Sequence, residues 1–75
     1  MEKKNIPLNE LKVGQRGTVS QLLSDRRLQD IGLIEGTKVE CIQKSPSGDP
    51  IAFLIRGAVI ALRREDSSSV LMSLS

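Results

Sequence analysis

The chain contains no histidine, tryptophan or tyrosine, a single phenylalanine (Phe53) and a single cysteine (Cys41) in 75 residues. Each shortage excludes something. Without histidine the commonest general base is missing, and Cys41 has no imidazole to take its proton. A cysteine set among strand residues then reads as packing and not as a nucleophile. One cysteine cannot close a disulfide within the chain, and without histidine it cannot build a structural zinc site. Base stacking needs aromatic faces, and Phe53 alone supplies one. No glycine-rich run opens a helix and no Gly-Lys-Ser/Thr occurs, which excludes a phosphate-binding loop. No apolar run approaches the ~20 residues that cross a bilayer. The charged start Met1-Glu2-Lys3-Lys4-Asn5 has no apolar stretch behind it and does not read as an export signal. Charge of one sign is lacking too: 11 basic and 9 acidic residues are interspersed, for a net +2. That is an ordinary solvated surface, not a polyanion-binding footprint. The lone thiol and the absent signal point to the cytoplasm, and the missing catalytic groups point away from an enzyme.

What is present is aliphatic. Seventy-five residues make one small domain, and its core must be Leu, Ile and Val around Phe53. The densest local signal is Arg27-Leu28-Gln29-Asp30-Ile31-Gly32-Leu33-Ile34-Glu35-Gly36. It predicts a short helix over 25–31 with Ser24 as N-cap. Leu23 and Leu28 then fall at the hydrophobic-staple positions. With Gly32 just past the helix end, Leu28 and Leu33 become the apolar pair of a Schellman stop. Ile34-Glu35-Gly36-Thr37 follows, with glycine where a type II turn needs positive φ. A two-turn helix is unstable alone and must dock on something.

The rest reads as a small sheet. Residues 1–5 are expected to be a disordered tail and 6–75 a single domain. Leu8, Leu11 and Val13 suit one helical turn or an irregular strap, with Leu8 and Leu11 plugging one end of the core. Strands are predicted over 16–22, 37–44, 51–56, 59–63 and 70–72. Gly17 beside Thr18 suggests a bulge or a close backbone crossing. The loop Ser45-Pro46-Ser47-Gly48-Asp49-Pro50 and a tight Gly57-Ala58 connection separate the middle strands. The polar Arg64-Glu65-Asp66-Ser67-Ser68 should form one helical turn before the last strand. Five short strands bury most by curling into a barrel, which also removes exposed edges. The expected fold is therefore mainly β, a small five-stranded barrel with one short helix after the first strand.

Candidate ligands for a metal are Glu40, Cys41, Asp49, Glu65 and Asp66. None are spaced as a recognisable site, which leaves at most a weak surface oxygen site for a divalent ion. Arg26 and Arg27 read as a solvated helix face paired with Asp30 one turn on, or as part of a binding patch. The strand over 51–56 carries Ile51, Phe53 and Ile55 on one face and Ala52 and Leu54 on the other. A barrel has one inside, so part of this apolar surface must be covered by the strap, by the helix or by another protein. Arg26, Arg27, Ile51, Phe53 and Ile55 are accordingly the candidate partner-binding residues.

These motifs, in this order, resemble the FeoA family, the small proteins of bacterial ferrous-iron uptake. Leu8-Asn9-Glu10-Leu11 with Gly14 resembles its opening strap, and Arg26-Arg27-Leu28-Gln29-Asp30-Ile31-Gly32-Leu33 its helix end. Gly36-Thr37-Lys38-Val39 resembles the turn into the next strand. Gly48-Asp49-Pro50-Ile51, Ile60-Ala61-Leu62-Arg63 and Val70-Leu71-Met72 resemble its back half. One departure is Glu35, where the family commonly has proline. The resemblance implies an SH3-like barrel, as in the C-terminal domain of DtxR-type repressors. It also implies a partner, the cytoplasmic side of the FeoB membrane iron transporter, with its GTPase domain. Family description includes transition-metal binding, so weak Fe(II) or other divalent metal binding is implied, with no tightly bound cofactor and no ligand set. A metal-responsive regulatory domain is the alternative this resemblance leaves open; nucleic acid is not expected as a partner.

Overall fold

The computed structural model describes residues 5–23 and 26–74, and for residues 26 and 27 the helical backbone alone. Six antiparallel strands form one sheet: β1 (Asn5–Pro7), β2 (Arg16–Leu22), β3 (Lys38–Lys44), β4 (Ile51–Ile55), β5 (Ala58–Leu62) and β6 (Val70–Leu74). Their order across the sheet is β1-β6-β2-β3-β4-β5. A single 3-10 turn, Leu8–Glu10, follows β1; α1 (Arg26–Asp30) follows β2; α2 (Arg64–Ser67) precedes β6.

The sheet has six strands where five were expected. The extra one is β1, three residues ending on Pro7, too short and too proline-marked to announce itself. Asn5 pairs with Ser73, Ile6 with Met72 and Pro7 with Leu71. Proline lacks a donor and suits a sheet edge. The strand therefore begins at Asn5, within the stretch assigned to the tail; the residues before it lie outside the described part. With β1 in place, the last strand becomes an interior one, paired on both sides. The backbone ladder also does not close. Among the described residues β1 and β5 are edges and do not pair with each other.

Curling is nevertheless evident from the core. Val19, Val39, Cys41, Phe53, Val70 and Met72 come from the inner faces of β2, β3, β4 and β6 and join one buried cluster. Leu8 and Leu11 of the strap and Leu28 and Leu33 of the helical knuckle complete it, all at most 5% exposed. Two bulges keep the alternation in step. The register slips between Val19 and Gln21 and between Cys41 and Gln43. The second slip explains why Lys38, Glu40 and Gln43 are polar at uneven spacing: with Ile42 as the extra residue, all three fall on the outer face. Gly17 is a close crossing and not a bulge. A Cβ there would lie 3.1 Å from the Ser73 carbonyl of the neighbouring strand.

The knuckle follows the sequence. The Leu33 amide donates to the Leu28 carbonyl at 3.0 Å and the Gly32 amide to that of Gln29 at 2.9 Å. With Gly32 at φ 98°, these are the two bonds of a Schellman stop. The proposed N-cap, Ser24, lies outside the described residues; of the staple pair, Leu28 is buried but Leu23 is 55% exposed. Thr37 donates to Ile34 across the next turn, with Gly36 at φ 91° in its third place. Thr37 Oγ1 then donates to the Gly32 carbonyl at 2.9 Å, tying turn to helix stop. Gly36 N and Val19 N exchange bonds with β2 and the turn (to Val19 O and Thr37 O), which docks the knuckle on the sheet.

The hairpin between β4 and β5 turns one residue earlier than expected, at Arg56-Gly57. Both residues have positive φ, 50° and 84°, and Ile55 pairs with Ala58 across the turn. Two left-handed residues in a two-residue loop make the hairpin turn whose twist matches that of the strands.

Candidate protein-docking face

The inner face of β4 is the one with the large residues. Ile51, Phe53 and Ile55 are 2%, 0% and 1% exposed, so these three sequence-selected candidates sit in the core and not on a surface. The reason is volume: the only aromatic side chain in the chain goes to the middle of the core, and its i±2 neighbours follow it. The outer face is instead carried by Ala52 and Leu54, paired with Ala61 and Val59 of β5. Val59 is 62% exposed. For Arg26 and Arg27 the structure places only the backbone, in α1; their side chains lie outside the described residues.

Beside the Leu54–Val59 pair the outer face becomes charged. Glu40 lies across from Leu54 on one side and Arg16 on the other. Arg16 Nε donates to Glu40 Oε1 at 3.0 Å. The Arg16 side chain is 75% exposed, so the pair adds little stability, about 0–1 kcal/mol. Lys38 and Arg56 flank it. Together Arg16, Lys38, Glu40, Leu54 and Arg56 border an open groove of about 550 Å³. Three cations face one carboxylate around an apolar floor. The contact set expected from sequence does not include Lys38, Leu54, Arg56 or Val59, although alternation about Phe53 already sets Leu54 on the opposite face.

Cys41 faces inward, fully buried and free. Burial pushes its thiol above the ordinary value, with Lys44 pulling slightly the other way. A raised folded pKa means that the unfolded chain ionises first. Stability is then full below the free-thiol range, about pH 8.5, and falls as the pH rises past it. Urea titrations at neutral and alkaline pH are expected to show this loss. Cys41→Ala should abolish it.

No group of three His, Cys, Asp or Glu is placed to hold a metal ion among the described residues. The buried neutral thiol is no exception: a thiol ligates as thiolate. The described residues therefore do not assemble a three-ligand metal centre. No described helix is long and apolar enough to cross a membrane.

A family model for the FeoA domain matches residues 6–74. This chain belongs to the FeoA family. The FeoA-like protein of Clostridium acetobutylicum, solved by NMR, shares 31% identity over 99% of this chain and 90% of its own, with a TM-score of 0.89. The zinc-complexed FeoA of Stenotrophomonas maltophilia, termed a procaryotic SH3 domain protein, shares 27% over 88% and 87%, with a TM-score of 0.75. The fold also resembles part of the T. acidophilum IdeR structure: TM-score 0.85 at 14% identity, over all of this chain and 36% of that one. At that identity the likeness concerns the fold alone. No curated protein matches this chain. The SH3-like expectation is consistent with this fold, which among the described residues has six strands and not the five expected, with an open seam. The FeoA proteins are iron-uptake accessory or regulatory proteins and not a known enzyme family.

Proposed function

We propose that this FeoA-family domain is a small cytoplasmic adaptor that regulates ferrous-iron uptake by binding the cytoplasmic side of the FeoB membrane transporter. The observation that carries this reading is the family match over 6–74, nearly the whole chain. The outer face supports the same reading, since Leu54 and Val59 form an apolar strip beside a cationic groove. A small domain that acts on a larger protein needs a surface of this kind, apolar at its centre and charged at its rim.

Calorimetric titration of the protein into the cytoplasmic part of FeoB at physiological salt is expected to give saturable binding. Deletion of the gene is expected to slow growth on ferrous iron. A titration without heat, together with unaffected growth, would remove the adaptor role.

A further inference from the structure

The free edge of the sheet is β5, Ala58-Val59-Ile60-Ala61-Leu62. It holds no charge and no proline, and its ladder with β4 runs without a bulge. Those are the devices by which sheet edges are ordinarily guarded. The opposite edge, β1, is guarded by its shortness and a proline: it is three residues long and ends on Pro7. Ala58, Val59 and Ala61 are exposed, and among the described residues no other strand pairs with β5.

The hairpin sets which backbone groups are free. In a two-residue loop the flanking pair, Ile55 and Ala58, exchanges backbone hydrogen bonds, and the pattern then alternates. Ala58, Ile60 and Leu62 therefore turn their amides and carbonyls to β4. Those of Val59 and Ala61 point outward.

The flanks decide what can fill the edge. The strand runs from Arg56-Gly57 at one end to Arg63-Arg64 at the other, and all three arginines are exposed. A second copy laid antiparallel about Ile60 would set Arg56 against Arg64 and Gly57 against Arg63. An in-register parallel copy would set each arginine against itself. Either arrangement puts like charges opposite one another, which is destabilising. The Arg56 end is the more cationic, with Arg16, Lys38 and Arg56 around Glu40. At the other end Asp49, whose carboxylate accepts the Arg64 amide at 3.0 Å, and the exposed Glu65 border the same groove as Arg63 and Arg64 and offset their charge.

We infer that β5 is a strand-addition site for an extended segment of another protein, apolar in the middle and acidic at the end that meets Arg56. Main-chain bonds to Val59 and Ala61 supply the pairing; Val59 and Leu54 supply the apolar contact; Arg56, with Arg16 and Lys38 beside it, selects the acidic flank. This goes beyond the transporter reading and does not depend on it.

The test uses the full chain and a synthetic peptide of alternating valine and threonine with paired glutamates at one end. Followed by NMR, the Val59 and Ala61 amides are expected to shift and to become protected from exchange. Ala58, Ile60 and Leu62 should change little in protection. Val59→Pro removes an outward donor and replaces the exposed valine side chain, and should weaken binding by about tenfold, as should lysines in place of the peptide's glutamates. Should that proline variant not fold, Arg56→Asn keeps the left-handed turn, removes a cation and should weaken binding several-fold. Three results would overturn the inference: no response at Val59 and Ala61 with peptide at millimolar concentration, equal binding of the lysine-ended peptide, or a dimer in sedimentation with those amides already protected.

Discussion

Phe53→Ala is expected to lower the stability of this domain by about 3–5 kcal/mol. Phe53 is fully buried in β4, opposite Cys41 on one side and Ile60 on the other. It is the only aromatic residue in the chain, so no second ring can move into the space it leaves. The neighbours are strand residues held by ladders on both sides, which limits collapse into the cavity. A domain of this size has little to spare, since small proteins fall near the low end of about 5–15 kcal/mol. Urea unfolding should show a much lower midpoint at physiological temperature, or no folded baseline. A midpoint within the error of the parent's would mean that Phe53 is not the centre of the core.

Gly32→Val should cost about 1–3 kcal/mol through the backbone. Gly32 sits at φ 98°, where a β-branched residue is strained whatever the space around it. Space is also short: a Cβ would come within 2.6 Å of the Arg56 Cδ. That second effect is the smaller, because the arginine side chain is exposed and can swing away. Its signature is separate, however. The Arg56 resonances should move in Gly32→Val even where the fold survives, since the helix stop and the cationic groove share this contact. Parent-like melting in the valine variant would contradict the helix-stop geometry.

Both substitutions act on features that can be read from the chain alone, but to different degrees. At the knuckle the whole argument lies within ten residues. Gly32 stops the helix, Leu28 and Leu33 pair around it, and Gly36 makes the next turn. The bonds expected of the helix stop and of the turn after it are present, because such stops depend on local backbone geometry and little else. Phe53 was equally legible as a strand residue, and the two-faced apolar pattern of β4 was evident. Its orientation was not. Alternation says that Ile51, Phe53 and Ile55 share a face; it does not say which face is inside. Choosing them as contact residues therefore placed three core side chains on the surface.

Long-range pairing carried the rest. Three residues ending in proline give no strand signal of their own, and β1 exists because β6 offers it an unpaired side. The uneven polar spacing of β3 becomes regular only with the bulge at Ile42, which is a matter of register with β4. The β5 edge has the same origin, since an unguarded strand is unremarkable until the order of the sheet puts it on the outside.

Sequence alone determined the aliphatic core, the lack of histidine, the helix stop with the turn after it, and the family, because composition, turn chemistry and motif order are properties of neighbouring residues. Tertiary structure alone decided which side of β4 faces water, where the sheet ends and which charges gather beside Leu54. Those depend on register between segments far apart in the chain, and a one-residue shift in register exchanges inside for outside.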